Sequence, residues 1–209
     1  AAFSGCTSLT SITIPSSVES IGYSVFSYCT GLTGITVDNN NSFYSSQDGV
    51  LFNKDKTELL LYPAGKSETS YTIPDSVKNI GDCAFGGCSS LENVYYTGDV
   101  AGWCAIDFFD SSSNPIDYAE NLYINGVLIK VLVIPDSVTK IGDYAFCLCY
   151  RLTSVVIPDS VTTIGDKAFY NLDSLTSVVI GDSVTSIGDY AFSGCVRLVE
   201  VINNSPHIT

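Results

Sequence analysis

Apolar and polar positions along this chain carry two periods at once. Within a short segment such as Ser154–Ile157, Val155 and Ile157 alternate with Ser154 and Val156. That is the period-two signature of a strand with one buried face. Over longer distances the whole pattern returns every 23 residues. The stretches LTSVVIPDSVTTIGDKAFYNLDS (152–174) and LTSVVIGDSVTSIGDYAFSGCVR (175–197) agree at 15 of 23 positions without a gap. The same phase recurs at 129–151, 68–90 and 9–31, with anchor phenylalanines Phe3, Phe26, Phe85, Phe146, Phe169 and Phe192.

Each unit reads as one turn of a coil. A short strand is followed by a Pro158-Asp159-Ser160 turn, and Val161 and Ile164 then return to the interior. Gly165 is expected to permit a tight backbone before a single helical turn N-capped by Asp166, with Ala168 and Phe169 closing the core. Glycine fills this slot in five repeats: Gly22, Gly81, Gly142, Gly165 and Gly188. One such unit cannot bury its own apolar side. Stacked units can, with strands in a parallel ladder at about 4.8 Å per rung.

The pattern L-x-x-I-x-I-P-x-S-V-x-x-I-G-x-x-A-F-x-x-C is carried by IPDSVTKIGDYAFCLC (134–149), IPDSVTTIGDKAF (157–169) and GDSVTSIGDYAF (181–192). It resembles the BspA-like leucine-rich repeat family over nearly the whole chain. The expected fold is a leucine-rich-repeat-type, right-handed solenoid. A parallel sheet forms one, concave, face and short helical turns or loops the other. The expected organisation is a single domain, 1–209, excised from a longer repeat protein, with variant segments at 32–67 and 91–128. In the first, two apolar runs of DGVLFNKDKTELLLYP (48–63) flank a hairpin turn at Asn53–Lys56. In the second, NLYINGVLI carries the two-residue turn signal Asn125-Gly126. Gly98–Cys104 reads as a degenerate corner with Trp103 replacing phenylalanine, and FDSSSNP (109–115) as a surface loop.

Composition narrows the partners. A net charge of -13 argues against nucleic acid and anionic membranes, since phosphate binding needs clustered Lys and Arg. No apolar run reaches the roughly 20 residues of a membrane span. Of eight cysteines, Cys6, Cys29, Cys88, Cys149 and Cys195 share one repeat slot that Leu172 fills elsewhere, which predicts reduced core thiols rather than a disulfide framework. Two columns of aspartate, Asp75, Asp136, Asp159, Asp182 and Asp82, Asp143, Asp166, Asp189, either cap their own turns or bridge rungs through calcium. Repetition in every copy favours capping. No metal or cofactor is expected.

Catalysis finds little support. The only histidine, His207, lies in a polar tail, and no nucleophile elbow or phosphate loop occurs. Paired acids among Glu92, Asp107, Asp110 and Glu120 are the remaining route, to polysaccharide cleavage. The outward strand positions are the candidate binding surface, chiefly Thr72, Asn93, Tyr95, Val133, Val156 and Val179. A surface of Tyr95 and Tyr96 beside Trp103 is a further candidate. The resemblance implies a secreted or cell-surface adhesin that contacts an extracellular protein or glycan. The alternative is a passive spacer carrying another domain.

Overall fold

Four residues in each regular repeat become strand because alternate side chains find an interior. In Ser154–Ile157, Val155 and Ile157 are buried while Val156 faces out. The computed structural model describes residues 1–208. Its fold is a leucine-rich-repeat solenoid of short parallel strands, in two compact units: Ala1–Tyr71 with Ser76–Glu92 and Phe108–Ala119, and Thr72–Asp75 with Asn93–Asp107 and Glu120–Thr209.

In the second unit the strands Val131–Val133, Ser154–Ile157, Ser177–Ile180 and Glu200–Asn203 pair in parallel, each residue opposite the one 23 positions on. A second ladder of two-residue strands, Lys140–Ile141, Thr163–Ile164 and Ser186–Ile187, runs beside it. Phenylalanines stack between rungs at 5.5 Å (Phe146–Phe169) and 5.1 Å (Phe169–Phe192). Threonine hydroxyls repeat the theme: Thr153 donates to the Lys130 carbonyl and Thr176 to that of Thr153.

The corner after each strand differs from the expectation of a helical turn. It is irregular. Among the described residues, α-helix is confined to Val100–Cys104, N-capped by Asp99. The regular corners instead put Tyr144, Lys167 and Tyr190 at positive φ in the second unit, and Ser24 and Cys83 in the first. The repeat glycine two positions earlier is at positive φ in none of its five copies. In the last two copies its role is close approach: a Cβ on Gly165 would lie 2.6 Å from the Asp143 backbone nitrogen and closer still to its carboxylate. Gly188 meets Asp166 in the same way. Only a residue without a side chain leaves room for the preceding rung's aspartate.

That aspartate does not cap its own turn. Asp143 Oδ1 accepts from the backbone N–H of Asp166 at 3.0 Å, and Asp166 Oδ1 from that of Asp189 at 2.8 Å. In the other column Asp159 Oδ1 accepts from Asp182 N–H at 2.9 Å. Each of these three carboxylates is a cap passed up the stack, and the N–H it meets offsets the crowding of like charges.

The first unit contains both phase-breaking devices of its segment. Val50–Asn53 and Glu58–Leu61 pair antiparallel across the Asn53–Lys56 turn, as the sequence predicts. A third strand, Tyr44–Gln47, joins antiparallel to Val50–Asn53 through Asp48-Gly49, both at positive φ. The chain then regains phase at Tyr62, which is buried and stacks on Phe85 at 5.5 Å in the slot a phenylalanine holds elsewhere. FDSSSNP is a surface loop only in its first half, where Phe109 is exposed. It forms the 3-10 turns Ser111–Ser113 and Pro115–Asp117, and Ser113, Asn114 and Ile116 are buried. Asp110 and Asn114 make this burial tolerable by accepting from backbone N–H groups of Ser113 and Ile116.

Candidate functional site

All six outward strand residues, Thr72, Asn93, Tyr95, Val133, Val156 and Val179, lie in the second unit. Val133, Val156, Val179 and Ile202 stand directly opposite one another on successive strands. Val133 is 60% exposed, Ile202 45% and Val156 37%, with Val179 half-buried. Beside them Val131 is 63% exposed. The stripe is therefore both apolar and wet, which the buried face of the same strands is not.

A further rung, in a sheet separate from that of the valine column, goes beyond the sequence expectation. Asn121–Ile124 is a full strand parallel to Asn93–Tyr96, as well as one arm of the predicted hairpin with Val127–Leu128. It sets Asn121 opposite Asn93 and Tyr123 opposite Tyr95. The two tyrosine rings stack at 4.6 Å, and Asn121 Nδ2 donates to Asn93 Oδ1 at 3.1 Å. The sequence does carry a signal for this rung: Asn-Val-Tyr-Tyr at 93–96 and Asn-Leu-Tyr-Ile at 121–124 share the alternation, at a spacing of 28 rather than 23.

The expected surface of Tyr95, Tyr96 and Trp103 is corrected. Period-two alternation turns Tyr96 inward when Tyr95 faces out, and Tyr96 and Trp103 are core residues packed edge-on at 5.4 Å. The Trp103 indole N–H donates to the Ala145 carbonyl at 2.7 Å. Burial, with Asp75 and Asp99 behind it, raises the Tyr96 phenol above its ordinary value.

The cysteines are free thiols. Cys29, Cys88 and Cys149 of the shared slot are buried, Cys195 is half-buried and Cys6 exposed. Cys29, Cys88 and Cys195 point their sulfurs at the carbonyls of Phe3, Tyr62 and Phe169, each 26 residues back. Burial pushes the Cys88 thiol up to about 12, and burial with Asp99 nearby does the same for Cys104. Cys88 and Cys104 are packing groups of the core.

One cluster in the first unit gathers donors that could hold a metal ion: Asp82, Cys83 and Asp110, with ligand atoms within 4.8 Å of one another. Its groups already have partners. Ser24 donates to the Asp82 carboxylate, and Asp110 Oδ1 accepts from the Ser113 N–H and hydroxyl. Burial and the adjacent acids push the Cys83 thiol up to about 11, so it keeps the proton a metal would have to displace. Of the other acids with catalytic potential, Glu120 is paired with Arg151 at 2.9 Å, and Glu92 and Asp107 are exposed. In the second unit an open cleft of about 410 Å³ lies between Cys104–Asp107 and Ser137–Asp143, with Lys140 as its one cation.

Known proteins share this architecture. No curated protein matches the chain significantly. The structure resembles the pneumococcal vaccine antigen PcpA, with TM-score 0.63, 25% identity, and coverage of 96% of this chain and 47% of that one. It also resembles a leucine rich cell surface protein from Faecalibacterium prausnitzii A2-165, with TM-score 0.58, 28% identity, and coverage of 94% and 48%. A leucine-rich repeat protein from Eubacterium ventriosum ATCC 27560 shares the fold at TM-score 0.57 and 24% identity, over 97% of this chain and 60% of that one. This chain thus spans about half the length of the first two and less than two thirds of the third. The family model for the BspA type leucine rich repeat region matches in six copies, over residues 1–58, 64–127 and 117–209. The chain belongs to the BspA-type leucine-rich repeat family.

Proposed function

We propose that this chain is a non-catalytic recognition module of the cell surface or secreted milieu, contacting an extracellular protein or glycan through the sheet face of its second unit. The observation that carries this is the in-register column Val133, Val156, Val179 and Ile202, kept apolar on the wet side of the strands. Strand propensity alone favours β-branched residues on either face. It does not account for an apolar residue on all four rungs of a column whose members Val133, Val156 and Ile202 are exposed. The pairs Tyr95–Tyr123 and Asn93–Asn121, on another sheet of the same unit, offer aromatic and amide groups suited to contact with a partner. A surface location rests on similarity to the Faecalibacterium cell surface protein.

The test is a binding screen against extracellular-matrix proteins and a glycan array. Wild type is compared with a variant carrying Val133→Ser, Val156→Ser, Val179→Ser and Tyr95→Ala. A ligand retained by wild type and lost by the folded variant supports the reading. Equal binding by both overturns it.

A further inference from the structure

The apolar stripe of the second unit has an acidic flank. Three residues after Val133, Val156 and Val179 come Asp136, Asp159 and Asp182, each exposed at the turn that ends its strand. Asp159 and Asp182 are held in rung register by the bond from the Asp182 N–H to Asp159 Oδ1. No lysine or arginine occupies this slot in any of the three rungs. On the opposite flank the matching positions are Lys130, Thr153, Thr176 and Val199, one cation and no acid. The face thus has an apolar column with an acidic column on one flank, while on its other side the outward column Val131, Ser154, Ser177 and Glu200 carries a single acid.

The rung spacing selects what can lie along it. Four side chains on adjacent parallel strands form a row of about 14 Å with a step of about 4.8 Å. An α-helix laid across the strands presents one side chain per turn at a pitch of about 5.4 Å. Residues at i, i+3 or i+4, and i+7 then fall close to successive valines. An extended peptide in the same direction presents same-side residues about 6.6–6.8 Å apart and falls out of step within two rungs. A helix with an apolar stripe and cations along one adjoining edge would match both columns together.

We propose that the partner of this face is a basic amphipathic helix of another protein, its apolar row seated on Val133, Val156, Val179 and Ile202 and its lysines or arginines aligned with Asp136, Asp159 and Asp182. This rests on the sheet-face reading above and names the partner class for it. Apolar burial supplies most of the affinity, and the aspartate column sets orientation and rejects acidic helices.

The test uses a fluorescein-labelled amphipathic peptide of about 14 residues, with leucines at helical spacing and lysines along one edge, and a matched peptide with glutamates in place of the lysines. Binding is followed by anisotropy against wild type and two triple variants. One carries Asp136→Asn, Asp159→Asn and Asp182→Asn. The other carries Asp143→Asn, Asp166→Asn and Asp189→Asn, the same charge change in the other column, where the amide oxygen still accepts the inter-rung bond. The expected result is saturable binding of the lysine peptide, weakened about tenfold or more by the first triple and less than about threefold by the second, with no binding of the glutamate peptide. Equal weakening by both triples would show general attraction to an acidic chain and overturn the proposal, as would equal binding of both peptides or none of the lysine peptide. Should a neutral or acidic ligand bind wild type and lose affinity with Val133→Ser, Val156→Ser and Val179→Ser, the sheet-face reading stands and the basic-helix inference alone falls.

Discussion

In the second unit, residues 154–157, 177–180 and 200–203 repeat with no insertion, and every slot meets its counterpart 23 positions away. In the first unit, between residues 38 and 65, the chain makes two antiparallel turns before it rejoins the stack. The regular region keeps its interior by repeating phenylalanine: Phe146, Phe169 and Phe192 form one stack. The interrupted region keeps it with Tyr62 in the same relation to Phe85 and with the Cys88 sulfur on the Tyr62 carbonyl. What the stack demands is a flat buried ring and a small apolar group at fixed depth. The residue name is negotiable, while the 23-residue step from Tyr62 to Phe85 is kept.

This difference can be broken most severely at a ring. Phe169→Ala removes a fully buried side chain stacked on both sides and is expected to cost about 3–5 kcal/mol in denaturant unfolding. Phe3 is 44% exposed and stacks on Phe26 alone, so Phe3→Ala should cost less than half as much. Equal losses would show that the stack contributes nothing beyond local burial.

Glycine sharpens the comparison next. Gly165→Ala places a methyl group against Asp143 and is expected to cost about 1–3 kcal/mol. Gly22 has open space, its nearest atom at 3.9 Å, and Gly22→Ala should be neutral within about 0.5 kcal/mol. If both destabilise alike, backbone conformation rather than close approach explains the repeat glycine.

A smaller effect is expected at the caps. Asp166→Ala strips the acceptor from the Asp189 N–H and should cost about 1 kcal/mol, most of it restored in Asp166→Asn. The thiols give a pH test. Cys88 and Cys104 have an ordinary value of 9.0 and are pushed up to about 12 by burial. Below pH 9 they are protonated whether folded or unfolded. Above it the unfolded chain loses protons that the folded chain keeps, so stability falls as pH rises from about 9 toward 12. Urea midpoints across that range check the sign, and replacing both cysteines with alanine should make the slope shallower, with the remainder carried by Cys83, Cys149 and the buried tyrosines.

Most of the fold is legible in the 23-residue repeat itself. Period-two alternation places Val133, Val156 and Val179 outward, and the strand register sets them in line. Legibility ends where a feature depends on the neighbouring rung. The repeat glycine looks like a turn residue until the aspartate of the preceding rung is seen against it. That aspartate looks like a local cap until its partner proves to be 23 residues on. Tyr62 is hard to place because it keeps the 23-residue step to Phe85 but replaces the phenylalanine, and Asn121 and Tyr123 because their rung departs from that spacing and keeps only the local alternation. FDSSSNP has the composition of an exposed turn, yet Asp110 and Asn114 satisfy the backbone inside and let its second half, from Ser113, be buried.

The most direct measurement is of affinity and thermal stability together, for wild type and the Val133→Ser, Val156→Ser, Val179→Ser variant, with any ligand the screen returns. The valines are outward, so the account predicts a melting temperature changed by only a few degrees and binding lost by at least about tenfold. Binding unchanged in a folded variant would contradict the claim that this face is the recognition surface.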